Sequence, residues 1–320
     1  MNPGPLMLIG GAEDKLGARV VLSRFVKLAG GPQARIAVVA TASSLGEEAV
    51  EIYREVFGRL GVADVRGPRP TTREEAADPE VVAQLDGVTG IFMTGGNQST
   101  LTGAIAGTPF GSALLAAHSG GAVIAGTSAG ASAQSDHMVA FGAEGATPKL
   151  RMVAMSAGLG LIRGVVVDQH FEQRNRFGRL MTLVAHSPHL LGLGIDEDTA
   201  AVVTDGRYVE VIGKGALSIF DASSATSNVD TARGSQPLLL SGVVVHSLPA
   251  GARFDLAART LLPSLRGRKD DLREVSPAPA TAAAAKPSKR TMTRLLALEG
   301  AVGRRVDPGE TAGRRTTAEG

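Results

Sequence analysis

The chain has 320 residues, of which 43% are apolar and 20% charged, with 41 Gly, 16 Pro and neither Cys nor Trp; this suits one large or two small globular domains and excludes a fibre or a wholly disordered chain. Without Cys there is no disulfide, thiolate metal site or Cys nucleophile, so covalent catalysis must use oxygen or nitrogen; with aromatics at 3%, the core is expected to rest on Ala, Val, Leu and Ile, and stacking platforms for single-stranded nucleic acid are not expected. The net charge of +2 is uneven, because residues 264–320 carry twelve Lys and Arg against seven Asp and Glu, which leaves the body acidic and without a nucleic-acid footprint.

The opening residues 1–11 have no basic segment, and no run reaches the roughly 18 apolar residues needed to cross a bilayer, so a cytoplasmic protein with no membrane partner is expected. Short β-branched runs then alternate with helical patterns, the signature of an α/β fold with a mainly parallel sheet flanked by helices. In chain order the expected elements are a strand at 6–9, a helix at 16–29, a strand at 36–40, a helix at 47–60, and strands at 90–93, 123–126 and 165–168. A helix at 174–185 and a strand at 200–203 follow. Beyond Thr204 the turn Thr204-Asp205-Gly206-Arg207 and a strand over 237–247 make 201–262 a β-rich C-terminal extension of the same domain. From Ser264 onward Pro, Ala, Arg and Thr dominate, and such a stretch buries too little apolar surface to offset its ordering entropy. The domain is therefore placed at 1–263, with 264–320 a disordered basic tail that is either a solvated extension, the favoured reading, or a tether to an acidic surface or to nucleic acid.

In open sheets of this kind chemistry gathers at the carboxyl ends of the strands. The strand at 123–126 runs into Gly126-Thr127-Ser128-Ala129-Gly130, a Gly-x-Ser-x-Gly turn in which the flanking glycines remove colliding side chains and present the Ser128 hydroxyl bare. The Ala129 amide, at an expected helix start, and a second amide from Gly95-Gly96 are candidate oxyanion donors, Gly96 among them. The competing reading is a tight turn with Ser128 as an N-cap. A serine needs a base. Of six histidines, His170 stands just past the apolar strand 165–168, on the rim expected to hold Ser128, and His137 is the runner-up. The orienting acid is sought in Gly194-Ile195-Asp196-Glu197-Asp198-Thr199, where three adjacent acids in a loop need donors or a cation nearby. Arg174, Arg176 and Arg179 crowd the start of the expected helix, against its macrodipole, which reads as a carboxylate clamp or as partners for acids; at helical spacing Arg176 and Arg179 share a face that Arg174 does not, so one of the three is expected to be a structural ion-pair residue.

Five segments together resemble the cyanophycinase family of serine peptidases, relatives of aspartyl dipeptidase (peptidase E): Gly10-Gly11-Ala12-Glu13-Asp14-Lys15, Phe92 to Gln98, Gly126 to Ala131, Asp168 to Phe171 with the three arginines, and Gly194 to Ala200. The resemblance spans residues 6 to about 250 and implies a fold similar to class I glutamine amidotransferases, with Ser128 as nucleophile, His170 as base and Glu197 as acid. It further implies a pocket shaped by Gln98, Asp168, Gln169, Arg174, Arg176 and Arg179, with Asp168 and nearby acids available to a guanidinium. A homodimer without cofactor or metal is implied, acting on cyanophycin, a polyaspartate with arginine on each side-chain carboxyl, to release β-aspartyl-arginine dipeptides. The alternatives are an isoaspartyl or α-aspartyl dipeptidase acting on short peptides, and a non-catalytic granule-binding relative. Amidotransferase chemistry is disfavoured for want of Cys, and an α/β-hydrolase esterase because its acid precedes its histidine.

Overall fold

A computed structural model describes residues 2–263; the expected tail at 264–320 lies outside the described residues. In chain order the elements are β1 (Leu6–Ile9), α1 (Val20–Leu28), β2 (Arg35–Val39), α2 (Glu47–Arg59), β3 (Asp64–Arg66), α3 (Pro79–Ala83), β4 (Gly90–Met93), α4 (Gln98–Ile105), α5 (Pro109–Ser119), β5 (Val123–Thr127) and α6 (Ala129–Ser132). They continue with β6 (His137–Gly142), β7 (Val153–Ala157), β8 (Val165–Gln169), α7 (Phe177–His186), β9 (Leu191–Ile195), β10 (Thr199–Thr204), β11 (Tyr208–Gly213) and β12 (Ala216–Asp221). Short strands close the domain: β13 (Thr226–Ser227), β14 (Leu240–Ser241), β15 (Val244–Pro249), β16 (Arg253–Asp255) and β17 (Thr260–Leu262).

The fold is α/β, built on a nine-stranded sheet in the order β17-β16-β11-β10-β1-β5-β4-β2-β3. The five strands from β1 to β3 are mutually parallel, and the late strands β10, β11, β16 and β17 add to it antiparallel. The sequence places β8 in this same sheet, but it belongs to a second sheet, β15-β12-β9-β8. Alternation along the strands shows why two sheets stack: Leu6 and Leu8 of β1, Val167 of β8, and Leu193 and Ile195 of β9 share one apolar core, while Met7 and Ile9 point to another beneath α1 and α2. Val166 of β8 faces outward to Leu180, Leu183 and Val184 of α7.

The core is less purely aliphatic than composition implies. Phe25, Phe57 and Phe92 lie with ring centroids 5.5 Å apart pairwise, joined by Tyr53 at 4.6 Å from Phe92, on one face of the large sheet, and Phe171, Phe177 and Phe220 form a second cluster. Edge-on and tilted contacts of this kind add to plain area burial.

Two helices start later than the apolar period indicates. At the first, the Asp14 carboxylate accepts the amides of Leu16, Gly17 and Arg19, which ties that stretch into a loop and postpones α1 to Val20. These three amides also hold the Asp14 carboxyl down at about 2. At the second, Asn175 takes φ 46°, and α7 begins only at Phe177, with Arg176 as its N-cap. Arg174 is therefore not helical, and the crowding of three arginines into a helix start is partly illusory. The expected strand over 237–247 breaks at Gly242, with φ 80°, into β14 and β15.

Candidate active site

Three consecutive carbonyls at the end of β1 gather the site. Ile9 O accepts the amide of Ser128 (2.9 Å), Gly10 O that of His170 (2.8 Å) and Gly11 O that of Asp198 (2.9 Å), so one short segment registers three loops from two sheets against each other. Both glycines are obligatory here. A Cβ on Gly10 would lie 2.0 Å from the Asp196 carbonyl oxygen, and one on Gly11, at φ 104°, would lie 2.3 Å from Cε1 of the His170 ring. The sequence signal for this pair is a Gly-Gly directly after a buried strand, which by itself carries no role.

Ser128 follows β5 with φ 52° and ψ −110°, a conformation strained for a residue bearing a side chain. The turn is tight because Gly126 and Gly130 have no Cβ: one on Gly126 would sit 2.1 Å from Gly130 O, and one on Gly130 would sit 2.4 Å from Met93 O. Just before the serine, Thr127 Oγ1 donates to the buried Glu13 carboxylate (2.5 Å), which also accepts from the Tyr53 hydroxyl (2.5 Å) and Lys15 (2.8 Å). Glu13 thus braces the turn from beneath. The helix after it, α6, is only one turn long, so any oxyanion stabilisation rests on individual amides rather than on a macrodipole. Among the described residues the amides of Ala129 and Gly96 donate to no acceptor, and Gly95 passes so close that a Cβ on it would be 3.4 Å from Ser128 Cβ.

The Ser128 hydroxyl lies 2.9 Å from His170 Nε2, and His170 Nδ1 lies 2.6 Å from Glu197 Oε1. Two different sheets converge to make this contact, since Ser128 follows β5 of the large sheet and His170 follows β8 of the small one. His170 also has positive φ, 47°. Phe171, the next residue, lies flat against β9 because Gly194 has no side chain, its ring 2.5 Å from where that Cβ would be. His137 is exposed and turned to Asp136 (3.4 Å).

The three neighbouring acids have separate duties. Asp196 accepts the amides of Glu172 (3.1 Å) and Ala216 (2.9 Å); Asp198 accepts the amide of Asp14 (2.9 Å) and pairs with Lys214 (3.1 Å); Glu197 alone reaches the imidazole, its own amide donating to Gln173 Oε1 (3.0 Å). Their mutual repulsion is offset by these donors.

Beside Ser128 opens a cavity of about 420 Å³ lined by Gly96, Gln98, Val139, Ala140, Phe141, Gly142, Gln169 and the three arginines. The expected mixed-sign pocket needs correction. Asp168 has no exposed surface; Arg179 holds both its oxygens, Nε to Oδ2 at 2.6 Å, and Arg176 approaches Oδ1 at 3.4 Å. It is the counter-ion of the arginines and no substrate group can touch it. Two arginines, rather than one, are structural ion-pair residues, and Arg176 also donates to the Gln169 side chain (3.0 Å). Arg174 is exposed and forms no ion pair among the described residues. Gln98 lines the cavity but spends its amide group on the carbonyls of Val139 (2.7 Å) and Ala140 (3.3 Å), holding β6 in place.

Burial lowers the His170 imidazole below its ordinary value of 6.5, the Glu197 carboxylate opposes this, and the cations of Arg174 and Arg176 reinforce it. Desolvation likewise lowers the Arg176 guanidinium to about 10. Among the described residues no group of three or more His, Asp or Glu side chains is arranged to hold a metal ion.

A serine on a strained strand-to-helix turn, bonded to an imidazole that is bonded in turn to a carboxylate, is the constellation of a serine hydrolase. The profile of peptidase family S51 matches residues 6–211. The chain belongs to that family of serine peptidases. It is 39% identical to the cyanophycinase of Nostoc sp. over 267 residues, covering 81% of this chain and 88% of the relative. With the cyanophycinase of Geminocystis herdmanii it shares 38% over 252 residues, covering 78% and 93%. Among solved structures, a peptidase from an acI-B1 actinobacterium has the same fold, with TM-score 0.56 at 23% identity over 79% of this chain and 97% of the other.

Proposed function

We propose that the chain is a serine exopeptidase that hydrolyses cyanophycin to β-aspartyl-arginine dipeptides through an acyl-enzyme on Ser128. The observation that carries the proposal is the unbroken Ser128, His170, Glu197 relay opening on an arginine-lined cavity; its relatives' activity, as cyanophycinases, supports the choice of substrate. In this reading His170 Nε2 takes the Ser128 proton as Oγ attacks a main-chain carbonyl of the polyaspartate, while Glu197 holds Nδ1–H and steadies the imidazolium. The free amides of Gly96 and Ala129 receive the oxyanion. The imidazolium then protonates the leaving amine, and a water activated by the same ring clears the acyl-enzyme. Arg174, the exposed cation at the mouth, receives a substrate carboxylate.

Incubation with insoluble cyanophycin should release β-aspartyl-arginine, detected by mass spectrometry, and the Ser128→Ala protein should release none. Cleavage of short isoaspartyl or α-aspartyl dipeptides with the polymer untouched would overturn the choice of substrate. Binding to granules with no hydrolysis of either would replace the enzyme with a granule-binding protein.

The reading includes a homodimer in the cytoplasm, supported by the family resemblance. No single helix among the described residues is long and apolar enough to cross a membrane.

The base must be neutral to act, and burial together with two arginines favours the neutral ring. The acid limb of kcat/KM is therefore expected to have its midpoint below pH 6.5, with activity retained into mildly acidic solution. Removing a cation stabilises the imidazolium, so Arg174→Gln should move that midpoint upward. A pH profile of kcat/KM for both proteins checks the sign, and a downward move would contradict it.

A further inference from the structure

The cavity beside Ser128 is electrostatically one-sided. Three arginines line it, and among the described residues its lining includes no Asp or Glu. Asp168 is sealed behind Arg176 and Arg179, with no surface of its own to offer. Such an interior welcomes carboxylates and repels another cation. Each unit of the polymer proposed above carries a guanidinium as well, and that group needs a different seat.

Among the described residues the one aromatic side chain on the cavity wall is Phe141 of β6, and it is 72% exposed. A phenyl ring left open to water at the mouth of a polar cavity contributes little to the core, and its position is held by a specific device. The β6–β7 ladder changes register between Val139 and Phe141, and the carbonyls of Val139 and Ala140 at this bulge are the ones that Gln98 grips. Gln98 and Phe141 thus form one unit, in which a half-buried side-chain amide fixes the backbone that presents the ring. Glu144, exposed and three residues further on, adds a negative charge on the same outer loop. A flat guanidinium stacks on an aromatic face better than an ammonium or an alkyl chain does.

Resting on the proposed cyanophycin activity, we propose that Phe141 is a specificity-determining residue: its exposed ring seats the guanidinium of the substrate's arginine side chain outside the arginine-lined cavity, while the cavity itself takes the carboxylate.

The test compares wild type, Phe141→Leu, Phe141→Tyr and Glu144→Gln on two soluble α-linked aspartyl oligomers of equal length, one bearing arginine on its side-chain carboxyls and one bearing alanine. Fluorophosphonate labelling of Ser128 is measured in parallel as a control for an intact site. For Phe141→Leu the expected result is a roughly three- to tenfold rise in KM on the arginine oligomer, with kcat, the alanine oligomer and labelling within twofold of wild type. Phe141→Tyr should restore the wild-type KM. Equal losses on both oligomers would reduce Phe141 to a shaper of the pocket and overturn the assignment. So would a KM unchanged in Phe141→Leu, or a loss seen in Glu144→Gln alone. Those results, obtained with an active wild type, leave the cyanophycin reading standing; a wild type that labels at Ser128 yet cleaves no arginine oligomer removes both.

Discussion

Ser128→Ala is expected to lower kcat/KM on cyanophycin by about 10⁴- to 10⁶-fold while leaving the fold and the melting temperature almost unchanged. The alanine removes only Oγ, whose partner at 2.9 Å is the His170 ring, and the strained turn is set by glycines on either side rather than by the hydroxyl. Glu197→Gln should cost about 10²- to 10⁴-fold, since an amide either loses its bond to Nδ1–H or favours the wrong tautomer. The neighbouring acids supply the contrast. Asp198→Asn keeps an oxygen for the Asp14 amide and loses only the bridge to Lys214, which is itself largely exposed; activity within about tenfold of wild type is expected. Steady-state rates with purified proteins decide it, and a dead Asp198→Asn beside an active Glu197→Gln would overturn the assignment of the acid.

What could be read in the sequence follows from burial. Strands β1, β4, β5 and β8 are buried along their whole length, so their apolar runs are nearly continuous and stand out against any helical period. Strand β9 hides because its alternate residues are Gly192 and Gly194, which read as turn signals; in the fold they are absences of side chain that admit Leu180 and Phe171. The second sheet could not be read either, because period-two alternation identifies a strand but not the sheet it joins. The same limit divides the site. The serine turn announces itself through local glycines, whereas the distance from Ser128 to His170 depends on how two sheets stack and on the Ile9 to Gly11 carbonyls between them. Helical spacing misassigns the arginines for a related reason: it compares residues on one element, but the fate of Arg176 and Arg179 is decided by Asp168 on a different one.

Asp168→Asn is the substitution expected to damage stability most. It leaves Arg176 and Arg179, 7% and 4% exposed, without the carboxylate that neutralises them, and removing one partner of a buried ion pair costs about 3 to 5 kcal/mol. For a domain of this size that corresponds to a fall in melting temperature of roughly 10 °C, measurable by calorimetry. Arg176 is already strained for partners: its Nε makes no hydrogen bond, and desolvation pulls its guanidinium down to about 10. The double variant Asp168→Leu with Arg179→Leu removes the fork and its counter-ion together, leaving one buried cation instead of two, and should recover part of the loss. That recovery separates a counter-ion from a substrate contact. Were Asp168 a binding group, the single Asn variant would melt like wild type and show its defect in KM alone; as the anchor of two cavity-lining arginines, it loses stability first, and any rise in KM follows from the arginines it no longer holds.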